Sequence, residues 1–317
     1  MKRRAILSCL LLSLSIGPAA ARADYPDRPI RVIVPFGAGG VTDSVARIAA
    51  RALEKSLGQP VVVENKPGAD GAIAANTVKN AAPDGYTLFF ATSSSLSTPL
   101  VMKAAGFDPI ADFAPISTVG RFPFAMFIHT DVPARTVQEF VAYARAHPGK
   151  LNYGTVNAGE QLAAAQFLKA TGVDMVRIPY KQSPVTELVA GRIQLYFGPV
   201  GQALAHSKDG RVRLLATLVP ERTPLTPDVP TLGEAGMGAI SVYSYQMFLA
   251  PAKTPREIVD RLSKEINAAV ANAGVRAELE KVSLVAEGMT PAQLSRQIAD
   301  AHRTWAQFFR EAGVEAQ

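Results

Sequence analysis

Cysteine is almost absent from this chain of 317 residues, and the single one, Cys9, stands in a segment that we expect to be removed. The first 23 residues have the pattern of a signal peptide: a basic start at Lys2–Arg4, an apolar stretch from Ile6 to Ile16, and Ala21-Arg22-Ala23 before Asp24. The apolar stretch is too short to span a membrane, and too little of it precedes Cys9 for a lipoprotein signal. We therefore expect an exported mature chain without disulfides or thiol chemistry.

An excess of charge of one sign is also missing. Lysine and arginine number 33 and aspartate and glutamate 27, a formal net charge of +6, but four of the basic residues lie in the first 23 positions. The remaining 29 basic and 27 acidic residues leave a net charge of +2, without a basic stripe. A nucleic-acid partner is therefore not expected. No later apolar run approaches the length of a membrane span, so we expect the mature protein to be soluble.

Histidine and serine offer no pattern of a catalytic or metal site. The four histidines, His129, His147, His206 and His302, are far apart and lack the spacing of metal ligands. The serine run Ser93–Ser95 has no Gly-x-Ser-x-Gly context, so a hydrolase nucleophile is not indicated. The histidines and serines therefore predict no catalytic residue and no metal site.

A glycine-rich loop after a predicted strand is the most informative segment. The β-branched run Ile30–Val34 leads into Phe36-Gly37-Ala38-Gly39-Gly40 and then into a helix with Asp43 in its first turn. Glycine allows close approach of the backbone to a ligand, and the free N–H groups and dipole of a helix start attract anions. The segment predicts an anion site, although a plain tight connection between strand and helix would have the same pattern.

A dinucleotide could also bind such a loop. Gly37-x-Gly39 follows a strand, and Glu64 ends the next strand, where a ribose-binding acid would stand. However, Thr42 occupies the position of the third glycine, and Pro35 interrupts the junction between strand and turn. A P-loop is excluded because no Gly-Lys-Ser/Thr follows the glycines. A dinucleotide-binding enzyme is therefore a less favoured alternative.

Strand and helix patterns alternate along the chain, which predicts an α/β fold with a mainly parallel sheet. The alternation breaks near Phe122 and again at the proline-rich passage that begins at Val219. We therefore predict two α/β lobes: residues 24–122 together with 219–317 form lobe 1, and residues 123–218 form lobe 2. In lobe 2, a second loop follows Thr155 and enters a helix near Glu160. Two such loops that face each other suggest a clamp for a small carboxylate.

Several segments resemble the Bug family of extracytoplasmic solute receptors, the binding components of tripartite tricarboxylate transporters. The motifs that carry the resemblance are YPDRPIRVIVPFGAGG, LGQPVVVENKPGADG and APDGYTL between Tyr25 and Leu88, followed by Leu151–Gly154, Ile178–Lys181 and Phe248–Pro255. The resemblance covers essentially the whole mature chain. It implies a type II periplasmic-binding-protein fold, in which a ligand cleft lies between two α/β lobes.

The resemblance also implies a function, partners and a set of site residues. A monomeric periplasmic receptor, which is not an enzyme and carries no cofactor, would capture a small organic acid and deliver it to the membrane permease subunits of a tripartite transporter. A sensory receptor that presents its ligand to a membrane kinase is an alternative that the sequence does not separate from transport. Backbone N–H groups of the two loops are expected to bind the carboxylate. The residues implied to bind ligand are Phe36, Gly37, Ala38, Gly39, Gly40, Asp43, Ser93, Ser94, Thr155, Asn157, Ala158, Gly159, Glu160 and Tyr180.

Glu160 has two contrasting interpretations. It occupies the first turn of the lobe-2 helix, where the family more often has a neutral residue. If it faces solvent, it complements the helix dipole, which is worth ~0.3–1 kcal/mol. If it faces the cleft, it repels a second anionic group and favours a monocarboxylate or an amine-bearing ligand. The short loop Val156–Gln161, and Gly198 where the family often has Asp, leave the identity of the ligand open.

Overall fold

The structure, a computed structural model, describes residues 25–180, 182–238 and 240–311. The predicted signal peptide, with Cys9, lies outside these residues. The strands of the described part are β1 (Ile30–Val34), β2 (Val61–Asn65), β3 (Thr87–Thr92), β4 (Phe113–His129), β5 (Asn152–Thr155), β6 (Val176–Pro179), β7 (Leu195–Pro199), β8 (Val212–Thr217), β9 (Tyr243–Pro251) and β10 (Val285–Ala286). Its α-helices are α1 (Val41–Leu57), α2 (Ala72–Lys79), α3 (Ser93–Ser97), α4 (Val137–Ala146), α5 (Ala158–Thr171), α6 (Val185–Val189), α7 (Val200–Lys208), α8 (Arg256–Ala271), α9 (Ala273–Lys281) and α10 (Pro291–Glu311).

The strands follow the order β2-β1-β3-β9-β4-β7-β5-β6, with β8 and β10 also paired to β4. At one end β1 runs parallel to β2 and β3, and at the other end β5 runs parallel to β6 and β7. Between these two parallel groups, β4 and β9 run antiparallel to each other. The predicted α/β class is therefore confirmed, with an antiparallel pair joining two parallel groups.

Strand β1 and helix α1 fix the two ends of the glycine-rich loop. Almost every side chain of β1 is buried, as expected for a parallel strand that is covered on both faces. Helix α1 starts after Gly40 and buries one apolar face against the sheet. It ends at Gly58, whose φ of 70° is the left-handed conformation that glycine adopts after a helix. The loop at Phe36–Gly40 is thus held between two well-packed elements.

Strand β4 is longer than the sequence indicates. The apolar pattern predicts a strand from Phe124 to His129, whereas β4 already starts at Phe113. Its first part, up to Pro123, pairs with β9, and its last part pairs with β7 and β8. Proline is rare in central strands, so Pro115 and Pro123 obscure this one in the sequence. The ladder accommodates Pro115 next to a register shift.

Large apolar clusters lie on both sides of the point where β4 changes partners. One surrounds β1, β3 and α1, and another surrounds the end of β4, β7 and α5. Four apolar residues of the proline-rich passage pack in the second cluster: Leu232, Ala235, Ile240 and Val242. These four residues, which the sequence analysis predicts for lobe 1, therefore pack with the end of β4, β7 and α5 rather than with β1, β3 and α1. The prolines end the alternating pattern, but the chain crosses back only with β9.

Helix α10 contacts both sides of the molecule. Near its start, Leu294 and Ile298 pack in a cluster with residues of β3 and β9. Near its end, Trp305 and Phe309 pack against Ala158 and Leu162 of α5. The helix therefore bridges the two parallel groups of strands. Across the described part of the chain, no helix combines the length and the apolar character that a membrane crossing requires.

Candidate functional site

A cavity of about 280 Å³ lies where β4 and β9 pass from one side of the molecule to the other. Its wall is built from these two strands, from the starts of α1, α3, α5 and α7, and from one residue of α10. Several residues that the sequence predicts to bind ligand line it: Phe36, Gly40, Ser93, Ser94, Asn157 and Gly159. The cavity thus brings together the glycine-rich loop, the serine segment and the second loop.

Asp43 fixes the glycine-rich loop and does not line the cavity. Its carboxylate accepts hydrogen bonds from the N–H of Gly39 at 2.9 Å, from Nε of Arg47 at 3.0 Å and from Nδ2 of Asn65 at 2.9 Å. Asn65 also donates to the carbonyl of Phe36 at 2.9 Å. Burial raises the pKa of Asp43, but these hydrogen bonds outweigh it and hold the pKa below its ordinary value. The N–H of Gly39, which we predicted to bind ligand, is therefore already used within the loop.

The donors at this loop lie later in the chain than predicted. Gly37 and Ala38 are exposed and do not line the cavity, whereas Gly40, Val41 and Thr42 do. The N–H groups in the first turn of a helix have no partner within the helix. Among the described residues, those of Val41 and Thr42 have no other partner. The first turn of α1, rather than the glycines before it, presents donors to the cavity.

Asn157 caps α5 and sets the start of this helix at the cavity wall. Its Oδ1 accepts the N–H of Glu160 at 3.2 Å. The cap therefore uses the N–H of Glu160, which we predicted to bind ligand. Within the described residues the N–H groups of Ala158 and Gly159 have no partner, and Gly159 lines the cavity. Ala158 itself packs against Trp305.

Glu160 faces neither solvent nor the cavity, so both predicted orientations are wrong. The residue is 1% exposed, because its side chain folds back onto the loop before its own helix. Oε2 accepts the N–H of Val156 at 2.6 Å, and Oε1 lies 3.2 Å from Nδ2 of Asn157 and 2.9 Å from the hydroxyl of Tyr196. Burial raises the pKa of Glu160 to about 7, although these hydrogen bonds lower it.

Tyr196 connects Glu160 to the cavity wall. Its ring is fully buried, and its hydroxyl contacts both Oε1 of Glu160 and Oε1 of Gln202, a residue that lines the cavity. Burial and the neighbouring Glu160 carboxyl raise the pKa of Tyr196 well above its ordinary value, so the phenol keeps its proton. Gly198 lies alongside, where a Cβ atom would overlap the Tyr196 hydroxyl. The missing side chain at position 198 therefore makes room for the phenol.

The serine segment forms the short helix α3 directly after β3. Oγ1 of Thr92 accepts the N–H of Ser95 at 3.1 Å, and Oγ of Ser95 accepts the N–H of Thr92 at 2.9 Å. Oγ of Ser93 accepts the N–H of Tyr245 at 3.0 Å, which ties the segment to β9. The hydroxyl of Ser94 lies 3.0 Å from that of Thr92. A fixed frame thus places the hydroxyls of Thr92, Ser93 and Ser94 at the cavity.

Apart from Phe36, the aromatic part of the cavity wall was missed from the sequence. Five aromatic residues line the cavity: Phe36, Phe122, Phe124, Tyr243 and Trp305. Trp305 is 7% exposed and packs against α5, and it also lines the cavity. The available signal was the pair of phenylalanines on either side of Pro123, where β4 changes partners. Of the described residues that line this cavity, none carries a charge.

Other predicted site residues lie outside the cavity wall. Thr155 is buried, and its Oγ1 accepts a hydrogen bond from Nε of Arg177 at 3.1 Å. Tyr180 is half-buried against the apolar cluster that contains Val185 and Leu188. No group of side chains that could hold a metal ion occurs within the described ranges.

Comparison with known proteins identifies the family. The sequence model of the tripartite tricarboxylate transporter family receptor, TctC, matches residues 45–314. Protein BugT of Bordetella pertussis is 32% identical over 317 residues, which cover 98% of this chain and 97% of BugT. This match over nearly the full length of both chains confirms the resemblance seen in the sequence.

Solved structures agree with this match. The periplasmic binding protein BugD superposes with a TM-score of 0.78 at 31% identity, over 92% of this chain and 100% of BugD. The R. palustris protein Rpa4515, solved with adipate, superposes with a TM-score of 0.83 at 30% identity, over 93% of this chain and 100% of Rpa4515. The predicted periplasmic-binding-protein fold is thereby confirmed. The chain belongs to the tripartite tricarboxylate transporter receptor family, which includes the Bug proteins, and it is a solute-binding receptor rather than an enzyme.

Proposed function

We propose that this protein is a periplasmic receptor that captures a small organic acid between two lobes and delivers it to the permease subunits of a tripartite transporter. The observation that carries the proposal is the cavity wall, where the first turns of α1, α5 and α7 meet around one space. Membership of the family and the adipate-bound relative support the same class of ligand.

The helix starts supply the attraction for a carboxylate. Each carries roughly half a positive charge, and the N–H groups of Val41, Thr42 and Gly159 are free to donate. The hydroxyls of Ser93 and Ser94 lie on the same cavity. Because no charged side chain lines the described wall, these neutral donors are the groups that would hold an anion there. Their hydrogen bonds strengthen when water is excluded.

The aromatic side chains of the cavity wall favour a ligand with an apolar carbon skeleton. Phe122, Phe124, Tyr243 and Trp305 present apolar faces, and burying a carbon skeleton against them is worth about 25 cal/mol per Å². A tricarboxylate would leave its further carboxylates without cationic partners along this wall. We therefore infer a monocarboxylate or dicarboxylate with a flat or aliphatic apolar body.

The path of the chain supports closure of two lobes around the ligand. Strands β4 and β9 pass between the two parallel groups next to the cavity. We assign lobe 1 to residues 25–123 and 243–311, and lobe 2 to residues 124–242. A ligand that contacts α1 on lobe 1 and α5 on lobe 2 favours the closed arrangement, because it gains both sets of hydrogen bonds only there.

A thermal-shift screen tests the ligand class. Adipate, benzoate and citrate are compared at matched ionic strength and pH. A ligand at ~100 times its dissociation constant adds roughly 2.7 kcal/mol to the free energy of unfolding. We expect adipate or benzoate to raise the melting temperature more than citrate does. A rise with citrate alone would overturn the inferred ligand body, and no rise with any organic acid would overturn the proposed function.

Substitution of Gly40 tests the position of the anion. Gly40 has a φ of −73°, which any residue adopts, and a Cβ atom there meets only the carbonyl oxygen of Gly37 at 3.4 Å. Gly40→Val therefore keeps the fold but places a side chain at the cavity wall. We expect the affinity for the acid found in the screen to fall at least ~10-fold, a loss of about 1.4 kcal/mol, measured by calorimetry.

Gly37→Val is the matched control. A Cβ atom at Gly37 meets nothing within 4 Å, and Gly37 does not line the cavity. This variant should keep the wild-type affinity and melting temperature. Equal losses in both variants would show that the loop as a whole, and not the cavity wall at Gly40, was disturbed.

A further inference from the structure

A chain of four polar side chains runs from the interior of α5 to the cavity wall. Oε1 of Glu160 lies 2.9 Å from the hydroxyl of Tyr196, which also contacts Oε1 of Gln202. Oγ of Ser183 lies 3.2 Å from the same Oε1 of Gln202. Gln202 is exposed and lines the cavity, and within the described residues its Nε2 has no partner. One end of this chain is thus buried, and the other meets the ligand space.

The number of hydrogens available restricts the directions of the hydrogen bonds among Glu160, Tyr196 and Gln202. The Tyr196 hydroxyl has one hydrogen, so it donates either to Glu160 or to Gln202, and its oxygen accepts from the other neighbour or from the hydroxyl of Ser183, which also bonds to it. If Glu160 is protonated, it donates to Tyr196, and Tyr196 donates to Oε1 of Gln202. If Glu160 is ionised, Tyr196 donates to the carboxylate, and Oε1 of Gln202 would then lie against the phenol oxygen with no hydrogen between them. Nε2 of Gln202 therefore replaces Oε1 there and donates to Tyr196. A half-turn of the Gln202 amide interconverts the two arrangements.

We propose that Gln202 is a specificity-determining residue that offers hydrogen-bond donors to the ligand when Glu160 is protonated and an acceptor when Glu160 is ionised. The position of Oε1 of Gln202 beside the Tyr196 hydroxyl fits the arrangement in which Tyr196 donates to Gln202. The hydroxyl of Ser183 can donate to Oε1 or accept from Nε2, so it fits both arrangements. The proposal rests on the proposed function, because it assigns the ligand of the same cavity.

Tyr196 is the titratable side chain that bonds to the Glu160 carboxyl in the described part of the chain. Strand β5, which packs beside α5, carries Tyr153, and α3 carries no charged residue. Helix α10 meets α5 through apolar side chains, and its Glu311 pairs with Lys169 at the far end of α5. Among the described residues no cation therefore compensates an ionised Glu160, and burial raises its pKa to about 7.

The consequence for binding is a dependence on pH. A carboxylate prefers the donors that Gln202 presents when Glu160 is protonated, whereas an uncharged amide can use either face. Binding of the anion therefore takes up protons near pH 7. We expect the affinity for adipate to be roughly 10-fold lower at pH 8 than at pH 6, while the affinity for its diamide, adipamide, changes little.

The first test needs no ligand. The side-chain amide of Gln202 is assigned in ¹⁵N spectra of the full chain by the loss of its signals in Gln202→Met. In the wild type, the signals should shift between pH 5 and pH 9 with a midpoint near 7. In Glu160→Gln and in Tyr196→Phe, they should be independent of pH. Signals that do not move in the wild type, or that titrate unchanged in Glu160→Gln, would overturn the proposal.

The second test measures protons directly. Calorimetry of adipate binding at pH 7, in two buffers of different ionisation enthalpy, should show proton uptake by the wild type and none by Glu160→Gln. Glu187→Gln, which removes an exposed ion pair with Arg192, controls for the change in net charge and should behave as the wild type. Equal proton uptake in wild type and Glu160→Gln would overturn the coupling. If neither adipate nor adipamide binds, the proposed ligand class fails, and the amide spectra still decide the role of Gln202.

Discussion

At the scale of single residues, Glu160 links the stability of the fold to pH. The ordinary pKa of a glutamate is 4.5, and burial raises that of Glu160 to about 7. Between these values the folded protein holds a proton that the unfolded chain releases. The free energy of unfolding therefore falls as the pH rises from 4.5 through 7, and levels off above that. The total loss is on the order of 3 kcal/mol.

Glu160→Gln removes this dependence, because glutamine keeps a neutral side chain of the same size at every pH. Urea unfolding at a series of pH values from 5 to 8 measures the effect. We expect the wild type to lose stability relative to Glu160→Gln across this range. Parallel pH profiles for the two proteins would show that Glu160 has the same pKa in the folded and unfolded chains.

At the scale of elements, the start of α5 combines a structural cap with a ligand contact. Asn157→Ala removes the acceptor for the N–H of Glu160, which costs about 1 kcal/mol of stability. Because Asn157 also lines the cavity, the same change should weaken ligand binding. Denaturant unfolding and calorimetry with the acid found in the screen measure the two losses separately.

Asn272→Ala is the matched control for this helix start. Asn272 caps α9, where its Oδ1 accepts the N–H groups of Gly274 and Val275 at 2.9 and 3.2 Å, and it does not line the cavity. We expect a similar loss of stability with unchanged affinity. An equal loss of affinity in both variants would mean that Asn157 acts on binding only through stability.

The parts of the site that lie within one helix start could be predicted from the sequence, whereas those that depend on the crossing of distant elements could not. The starts of α1 and α5 follow from local patterns, because glycines, a capping Asn157 and a following apolar face lie within a few residues of each other. Phe122, Tyr243 and Trp305 meet only through the crossing of β4, β9 and α10, which no local pattern records. The orientation of Glu160 depended on a partner, Tyr196, from a distant strand.

At the scale of the whole molecule, β4 and α10 tie the two sides together, so we expect one cooperative unfolding transition. Trp305 is the single tryptophan of the sequence, and it packs between α10 and α5 at the cavity. Its fluorescence should report the same midpoint in urea as far-ultraviolet circular dichroism, and it should also change when ligand binds. Separate midpoints for the two signals would mean that the lobes unfold independently.

Trp305→Phe provides the control for this experiment. The variant should lose the fluorescence signal and keep a single transition by circular dichroism, at a somewhat lower midpoint because a large buried side chain has been reduced. A fluorescence change on ligand addition that persists in Trp305→Phe would have to come from the tyrosines, and would remove Trp305 as the reporter of the cavity.

Positions 196 and 198 should change together in evolution, because their side chains would occupy the same space. The two residues point to the same face of β7, and the Tyr196 hydroxyl fills the volume that a side chain at 198 would need. A lineage that acquires a side chain at 198 has to replace Tyr196 as well, or pass through a clashing intermediate. Among relatives, a tyrosine at 196 should therefore occur together with glycine at 198, and each ancestor that changed one position should have changed the other with it.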